Sequence, residues 1–531
     1  MNMSSFLNHR RQILKLAVAS AASLWLPRSA WSQARFSSNP FALGVASGSP
    51  THDGVVLWTR LVQTGLFGGS TLGKDAITVR WEIADDENFA RIVQSGHSQA
   101  VAELAHSVHV EVAGLVPDRW YFYRFMAGDA VSHVGRTRTF PAADRPANRL
   151  RLAYASCQRW EHGYFSAWRH MRDENPDAVL FLGDYIYEYP NALNAVRTPT
   201  GGWVLALDDY RARYALHRGE PELQAMHAAC PWLVTWDDHE VQNDYAGLAP
   251  GDSGPPVSDF TARRAAAYQA FYEHMPLRAS ALTQALDGLV NGAEMRIYGK
   301  VSFGRLATLY LLDDRQYRDA QVCTRDGRRG SGTVNPERCG AWNDPRRTLL
   351  GGAQEAWLDR AFAQAGGGAT WNVVGQQTLF GRRDFRPGPG AALWNDGWDG
   401  YGAARDRFTA SLQGHRVPNP VLLGGDVHEN WVGHVKADYA RPNSASLGVE
   451  FCGTSITSRT TSSDQFAERL AENPHFVFAD NQRKGYGVVD FTPGQLTTTL
   501  RVVDDVTRRD TRIETLARFA VAAGRPVIEA L

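Results

Sequence analysis

Hydrophobic and polar positions follow two different patterns along the chain. Residues 41–141 contain short stretches rich in β-branched and aromatic residues, separated by turns with Gly or Asp. The stretches that predict strands are GVVLWTRL (54–61), ITVRWEIA (77–84), HSVHVEVAGL (106–115) and WYFYRFMA (120–127). Helical periodicity is nearly absent from this part. It is therefore predicted to be a small β-sandwich, followed by a linker at 142–149.

After residue 149, strands alternate with helices. The predicted strands are LRLAYAS (150–156), AVLFL (178–182), WLVTW (232–236), RLATLYLL (305–312), WNVVG (371–375) and PVLLG (420–424). The predicted helices include FSAWRHMRDE (165–174), FTARRAAAYQAFYEHM (260–275) and AQEAWLDRAFAQA (353–365). This alternation predicts a layered α/β domain over 149–510, preceded by a sandwich similar to fibronectin III or immunoglobulin domains. Residues 511–531 are predicted to form a C-terminal helix and a tail.

The first 34 residues have the pattern of an export signal. Arg10 and Arg11 precede a modestly apolar stretch at 13–26, and Ser32 and Ala34 are small residues suited to cleavage. Paired arginines before such a stretch predict a twin-arginine signal peptide over 1–34, with the twin-arginine export machinery as partner. We therefore expect a periplasmic or secreted protein. No later run reaches about 18 apolar residues, so we expect no membrane span in the mature form.

Composition limits the class of partner and predicts one covalent link. The 531 residues carry 56 basic and 56 acidic side chains, a balance that gives no indication of nucleic acid as partner. Two of the five cysteines, Cys323 and Cys339, flank a loop rich in Gly and Arg. An exported protein permits disulfides, so we predict a bridge here, worth about 3 kcal/mol in the chain-entropy model.

Polar side chains follow the end of each predicted strand of the α/β domain. They are Cys157, then Asp184 and Tyr187, then Asp237, Asp238, His239 and Glu240, then Asp313, Asp314 and Arg315, then Gln376 and Gln377, then Asp426 and His428. Ligands bind outside the carboxyl ends of the strands in α/β sheets, so we expect these residues to meet at one end of one sheet. So many carboxylates would be costly to bury together without cations.

The residue types indicate two unlike metal subsites. A phenolate, a thiolate and an imidazole suit a trivalent ion such as iron, whereas surrounding carboxylates suit Ca²⁺, Mg²⁺ or Mn²⁺. Two metals about 3.5–4 Å apart are the usual arrangement for hydrolysing phosphate esters, because they draw charge from the phosphate and acidify a bound water.

Longer motifs carry a family resemblance. The stretches SCQRWEHGYFSAW (156–168), FLGDYIYEY (181–189), VTWDDHEVQNDYAG (234–247), LLDDRQYRD (311–319), GGDVHENWVG (424–433) and EFCGTSITS (450–458) resemble the alkaline phosphatase D (PhoD-like) family of metallophosphoesterases. The resemblance covers essentially the whole mature chain. It implies a secreted phosphomonoesterase and/or phosphodiesterase that uses a metal-activated water or hydroxide, and a metallophosphoesterase-like catalytic domain. The implied cofactors are Fe³⁺ and one or two Ca²⁺, with Mg²⁺, Mn²⁺ or Zn²⁺ as alternatives to calcium.

The same resemblance implies roles for individual residues. The implied metal ligands are Cys157, Tyr187 and His428 on iron, Asp184 bridging the metals, and Asp238 and Asp426 on the second ion. His239 is expected beside the phosphate, able to protonate the leaving oxygen or hydrogen-bond the transition state, and Glu240 is expected to orient it. Arg159 and Arg315 are candidate phosphate clamps.

Other polar residues near these motifs have structural alternatives. The positions for which packing, capping or loop orientation is the favoured interpretation are Tyr185, Asp237, Asp313, Asp314, Gln376, Gln377 and Cys452.

Three alternatives remain for the whole protein. A phospholipase D-like phosphodiesterase would accept a phospholipid in place of a small phosphate ester, and a non-haem iron redox protein would use the same thiolate and imidazole. The N-terminal sandwich is expected to be a structural module, with anchoring to glycan or peptide as the alternative. We expect a monomer.

Overall fold

The structure is a computed structural model that describes residues 36–63, 72–283, 294–324, 328–441, 443–460 and 466–531. The predicted signal peptide, 1–34, lies outside the described residues.

The strands, numbered along the chain, are β1 (Val45–Gly48), β2 (Val55–Arg60), β3 (Ile77–Ala84), β4 (Ile92–Ala100), β5 (Ser107–Val112), β6 (Trp120–Ala127), β7 (Ala130–Val131), β8 (Gly135–Arg138), β9 (Leu150–Ala155), β10 (Ala178–Phe181), β11 (Trp232–Val234), β12 (Gly299–Phe303), β13 (Ala307–Leu311), β14 (Thr333–Val334), β15 (Trp371–Gly375), β16 (Leu393–Trp394), β17 (Pro420–Gly424), β18 (Asn430–Lys436), β19 (Ser446–Cys452), β20 (Phe476–Asp480), β21 (Lys484–Phe491), β22 (Gln495–Val503), β23 (Ile513–Ala522) and β24 (Glu529–Ala530). The α-helices are α1 (Ser166–Asp173), α2 (Leu207–Arg218), α3 (Pro221–Ala229), α4 (Phe260–His274), α5 (Ser280–Thr283), α6 (Gly352–Ala363), α7 (Gly402–Gly414) and α8 (Phe466–Glu472).

The first of two compact units contains the predicted β-sandwich. One layer has the order β4-β3-β6-β7 with β8 also paired to β6, and the other contains antiparallel β1, β2 and β5. The layers share a core that includes Val45, Leu57, Val110, Val79, Tyr123 and Phe125. The backbone N–H of Val116 donates to the Tyr121 hydroxyl at 2.9 Å, a tyrosine corner of the kind found in immunoglobulin-like domains. The strand pattern of the sequence therefore predicts this part correctly.

The first unit is not continuous in sequence. Residues 204–233 and 257–296 group with the described residues up to Phe140. These later segments carry α2, α3 and α4, and Arg263 of α4 donates to the Tyr210 hydroxyl of α2 at 3.0 Å. The sequence pattern, in contrast, predicts two domains that are each continuous, because periodicity does not show where a helix packs.

The second unit, residues 141–203, 234–256 and 297–531, holds two sheets rather than the single expected one. In this unit β24-β23-β22-β21-β9-β10 form one sheet and β12-β13-β15-β17-β19-β18-β20 form the other. The expectation that the predicted strands share one sheet is therefore wrong: β9 and β10 belong to the first sheet, β13, β15 and β17 to the second. Apolar runs identify buried strands but not their neighbours.

The ends of the two sheets nevertheless meet. Ser156, directly after β9, forms a bridge with Ser455, which follows β19. The N–H of Ile456 donates to the carbonyl of Ser156 at 3.0 Å. The second sheet is covered by α6 and α7, whose Phe362 and Phe408 join a buried core with Tyr310 of β13. Residues that follow strands of both sheets therefore lie close together.

The predicted C-terminal helix over 511–531 is wrong. Residues 513–522 form β23, which pairs antiparallel with β22 from Gln495 to Val503. The ring centre of Phe519 in β23 lies 5.5 Å from that of Phe478 and 6.3 Å from that of Phe451, both in the second sheet. Ala, Leu and Arg are good helix formers, but such intrinsic preferences are worth less than about 1 kcal/mol per residue, and pairing with an available strand edge overrides them.

Among the described residues, the structure contains no helix that is both long and apolar enough to cross a bilayer.

Candidate active site

Two strand-to-loop junctions form the floor of the site. Cys157 follows β9 and Asp184 follows β10, and the two strands are parallel neighbours. The N–H of Cys157 donates to the Gly183 carbonyl and the N–H of Gln158 donates to the Asp184 carbonyl, both at 3.0 Å. Cys157 and Asp184 both adopt left-handed backbone, with φ of 61° and 58°. Strained non-glycine backbone of this kind is concentrated at functional sites.

Gly183 permits the close approach of a third junction. Its φ is +105°, and a Cβ here would lie 2.5 Å from both the Cβ and the backbone nitrogen of Asp237. Only glycine combines this backbone conformation with such a contact. The glycine of the GD pair therefore brings the Asp184 loop against the loop that carries Asp237 and Asp238.

The first side-chain group contains the three predicted ligands of mixed chemistry. One ligand atom each from Cys157, Asp184 and His428 lie within 4.8 Å of one another. The Tyr187 hydroxyl joins this group: it donates to Asp184 Oδ2 at 2.8 Å and lies 3.2 Å from His428 Nε2. Burial, and next the charge of Asp184, raise the pKa of both the Cys157 thiol and the Tyr187 phenol well above their ordinary values.

His428 is oriented for ligation. Its Nδ1 is paired with the carbonyl oxygen of Arg459 at 2.9 Å, so Nδ1 carries the proton and Nε2 keeps its lone pair. The Nε2 atom lies 3.9 Å from Asp184 Oδ2. His428 and Asp426 both have left-handed backbone, with φ of 58° and 66°.

The second group is rich in carboxylates. Ligand atoms of Asp237, Asp238 and Asp426 lie within 4.8 Å of one another, and Asp184 makes a similar group with Asp238 and His239. Both Asp238 oxygens accept from backbone, from His239 N–H at 2.9 Å and from Asp244 N–H at 2.6 Å. Asp184 thus belongs to both groups, the position expected of a bridging carboxylate.

Arg315 is buried among these carboxylates. It pairs with Asp237, donates to Asp396 Oδ2 at 2.6 Å, and its Nη2 lies 3.9 Å from both Asp238 and Asp426. Burial would raise the pKa of Asp238, but Arg315 and His239 hold it below its ordinary value. Burial raises the pKa of Asp426 to about 6 against the opposing effect of Arg315. Arg315 therefore stabilises the acidic group, which is a different role from the predicted phosphate clamp.

His239 is held by a carboxylate other than the predicted one. Its Nδ1 pairs with Glu188 Oε2 at 2.7 Å, and both side chains are buried. Burial lowers the pKa of His239, but Asp184, Glu188 and Asp238 outweigh it and hold this pKa well above its ordinary value. The site therefore favours a protonated imidazole, which can act as a proton donor.

The expected role of Glu240 in orienting His239 is wrong. The Glu240 carboxylate accepts backbone N–H groups of Tyr185 at 2.5 Å, Asp237 at 2.8 Å and Asp184 at 3.1 Å. Burial and the Asp184 charge raise the pKa of Glu240 to about 8. Glu240 is adjacent to His239 in sequence, but its side chain ties two ligand loops together instead.

Arg159 lies beside Tyr187 and Tyr189. Its guanidinium carbon is 3.9 Å from the centre of the Tyr187 ring and 4.3 Å from that of Tyr189. Its Nη1 donates to the Tyr189 carbonyl at 3.2 Å. These contacts fix a cation next to the Cys157 group, where it remains a candidate phosphate clamp.

The remaining predicted residues have structural contacts. Asp313 accepts from Trp236 Nε1 at 3.0 Å, and Gln377 Nε2 donates to the Trp236 carbonyl at 2.8 Å. Tyr185 packs against Phe181, with ring centres 5.3 Å apart. The predicted disulfide between Cys323 and Cys339 is present, and Cys452 is a buried free thiol. The Asp314 N–H donates to Gln377 Oε1 at 3.2 Å, which links two loops, and Gln376 Nε2 donates to the Thr378 carbonyl within its own loop.

Sequence reasoning missed four residues of the site. They are Glu188 on His239, Asp244 and Asp396 in an acidic group with Asp238, and Ser458, whose hydroxyl lies 2.6 Å from that of Tyr187. Glu188 had a signal, because it is a carboxylate in an otherwise aromatic run, DYIYEY. Asp396 had none, since it lies in a loop without periodic pattern.

The residues present fit metal ions. Asp184 Oδ1 is buried and has no hydrogen-bond partner among the described residues, and an unpaired buried carboxylate oxygen is costly unless a cation or donor meets it. Asp237 Oδ2 is likewise buried and has no hydrogen-bond partner in the described part of the chain. The mixed thiol, phenol and imidazole set suits iron, and the carboxylates suit a harder divalent ion.

Comparison with known proteins identifies the family. The PhoD-like phosphatase family matches residues 152–500, and the N-terminal domain of PhoD-like phosphatases matches 27–141. Alkaline phosphatase D of Bacillus subtilis (strain 168) is 44% identical over 492 residues, which cover 91% of this chain and 81% of that protein. A solved structure of PhoD is 42% identical, with a TM-score of 0.87 over 94% of this chain and 93% of that one. The chain therefore belongs to the PhoD-like phosphatase family, with its sandwich and α/β catalytic fold, and is a phosphoric ester hydrolase.

Proposed function

We propose that this enzyme hydrolyses phosphomonoesters and phosphodiesters at a site for ferric iron and calcium. One observation carries the proposal: Asp184 groups with Cys157 and His428 on one side and with Asp238 and His239 on the other. A single carboxylate thus joins a thiol and imidazole subsite to an oxygen-rich subsite, which is the arrangement of a two-metal hydrolase.

The ligands follow from this division. Cys157, Tyr187, His428 and Asp184 would hold iron, and Asp184, Asp238 and Asp426 would hold calcium. Bound cations would draw charge from the phosphoryl oxygens and lower the pKa of a water molecule. The fixed guanidinium of Arg159 would bind a phosphoryl oxygen at the edge of the first subsite.

His239 would supply the proton for the leaving oxygen. Glu188 fixes the ring through Nδ1 and supports its protonated form, which leaves Nε2 for the substrate. A protonated imidazole in a dry site can also stabilise charge that develops on the phosphoryl group.

Metal analysis of the purified enzyme tests the proposal. We expect iron and calcium in the wild-type protein, and loss of iron together with activity in Cys157→Ala. Cys230→Ala is the matched control, since Cys230 is a buried cysteine outside the disulfide and outside every described group of metal-ligand side chains. Retention of iron and activity in Cys157→Ala would exclude Cys157 as a ligand.

Substrate class is tested with a kinetic panel of an aryl monoester, a bis-aryl diester and a phosphatidyl substrate. We expect turnover of the monoester and the diester. Faster hydrolysis of the phosphatidyl substrate than of both would instead support the phospholipase D-like alternative.

We also propose export through the twin-arginine pathway to the periplasm or beyond. The paired Arg10 and Arg11 support it, and the disulfide between Cys323 and Cys339 is compatible with an oxidising compartment. Replacing both arginines by lysine should retain the protein in the cytoplasm, and unchanged export would contradict the proposal.

A further inference from the structure

A large aromatic side chain is exposed near the proposed active site. Trp203 is 37% exposed, whereas the tryptophans nearest the ligand loops, such as Trp236 and Trp168, are fully buried. One neighbour of the Trp203 ring is Tyr189, with ring centres 5.2 Å apart and an angle of 32° between the planes. An exposed indole leaves a flat apolar surface on which a ligand ring can stack.

Tyr189 connects this indole to the proposed proton donor. The Tyr189 ring centre is 5.6 Å from that of His239, and the Arg159 guanidinium lies 4.3 Å from the same ring. Trp203, Tyr189 and His239 therefore form a row in which each ring neighbours the next. We call these three rings the aromatic row; it runs from the reacting centre to solvent.

The outer end of the row is held in place by backbone. A Cβ at Gly254 would lie 2.6 Å from the Trp203 ring, so the glycine lets the indole lie close to the chain. The neighbouring Ser253 carbonyl accepts from Gln242 Nε2 at 2.5 Å, and the Asn243 N–H donates to Glu188 Oε1 at 2.7 Å. The segment against Trp203 is thus linked to the carboxylate that holds His239. A ring fixed in this way loses little entropy when a ligand stacks on it.

We propose that Trp203 and Tyr189 form a subsite that stacks on a planar ring in the organic group of the phosphate ester. The inference rests on the proposed function, because an ester whose phosphoryl group lies beside His239 has the Tyr189 ring as a neighbour of its organic group, 5.6 Å from the His239 ring. Aryl and nucleoside esters are the class that this surface suits, since stacking accepts any flat π-system without demanding a specific hydrogen-bond pattern.

Paired substrates isolate the effect of the ring. Benzyl phosphate has an aromatic ring that methyl phosphate lacks. A nucleoside 5′-monophosphate has an aromatic base that ribose 5-phosphate lacks. In Trp203→Ala holoenzyme, we expect KM for the ring-bearing member of each pair to rise about fivefold or more, in line with the loss of one stacking contact. The kcat values of all four esters, and the KM of the two that lack an aromatic ring, should stay within about twofold. Trp203→Phe should keep most of the discrimination.

Trp394→Ala is the matched control, because Trp394 is also 37% exposed and belongs to the same unit. Calorimetric binding of benzylphosphonate against methylphosphonate gives a readout without turnover, and metal content is measured for each variant. An equal rise in KM for substrates with and without an aromatic ring in Trp203→Ala would overturn the subsite. The same selective rise in Trp394→Ala would also overturn it. A wild-type enzyme that hydrolyses none of the four esters would instead overturn the proposed function.

Discussion

At the scale of single residues, the site gives different roles to two buried glutamates, Glu188 and Glu240. Glu188 pairs with the His239 ring, and Glu240 accepts three backbone N–H groups of the ligand loops. The first therefore acts on the proton donor, and the second acts on the shape of the metal site. The two roles predict different consequences of the same chemical change.

Glu188→Gln should lower kcat while iron and calcium are retained. The amide removes the charge that supports protonated His239 and loosens the ring, so we expect a fall of about 10–100-fold, part of the factor of about 10²–10⁴ typical of general acid catalysis. Steady-state kinetics and metal analysis of the same preparation measure both quantities.

Glu240→Gln is the comparison variant. Its amide NH₂ would face backbone donors and leave buried N–H groups unpaired, so we expect loss of metal and a lower melting temperature. If Glu188→Gln lost metal to the same extent, Glu188 would be a structural residue rather than a positioning residue for His239.

At the scale of elements, the junction after β10 is the most constrained backbone of the site. Gly183 combines a left-handed φ with a contact in which a Cβ would meet Asp237 at 2.5 Å. Gly183→Ala should therefore strain the backbone and separate the two ligand loops. We expect a loss of about 1–3 kcal/mol in the free energy of unfolding from backbone strain, and weaker metal binding.

Gly352→Ala is a suitable control for this substitution. Gly352 begins α6, has no heavy atom within 4 Å of a built Cβ, and is not in the left-handed region. Alanine there should be neutral or slightly stabilising. Denaturation in the presence of metal measures both variants, and an unchanged midpoint for Gly183→Ala would show that the loops can move apart without cost.

The elements also show what the sequence can predict. The bounds of β15 and β17 match the prediction because each is a short, mostly apolar run, interrupted in β15 only by Asn372. β23 does not, because its sequence suits a helix and only the edge of β22 makes it a strand. The motifs predict that polar side chains from several strand ends lie together, as the structure shows, but they do not predict the partner of His239, since Glu188 lies 51 residues away.

At the scale of the whole molecule, a chain of zero formal net charge concentrates acid in one place. The described carboxylates of the site include buried Asp184, Glu188, Asp237, Asp238, Glu240 and Asp396 and half-buried Asp426, and the buried arginines paired with them are Arg315 and Arg318. Negative charge therefore exceeds positive charge where solvent cannot screen it. The folded state should depend on bound cations for stability as well as for activity.

Calcium chelation should accordingly lower the melting temperature and abolish activity together. A cation that binds the folded state alone adds about 2.7 kcal/mol to the free energy of unfolding at a free concentration 100 times its Kd, and the chelator removes that contribution.

Asp426→Asn supplies the decisive comparison, because it removes one repelling charge and one proposed calcium ligand at once. Without calcium this variant should be at least as stable as the wild type, since the repulsion is smaller. Added calcium should raise the melting temperature of this variant less than that of the wild type, since one proposed ligand is missing. Differential scanning calorimetry with and without chelator measures both effects, and a wild-type enzyme whose melting temperature and activity ignore the chelator would remove calcium from the site.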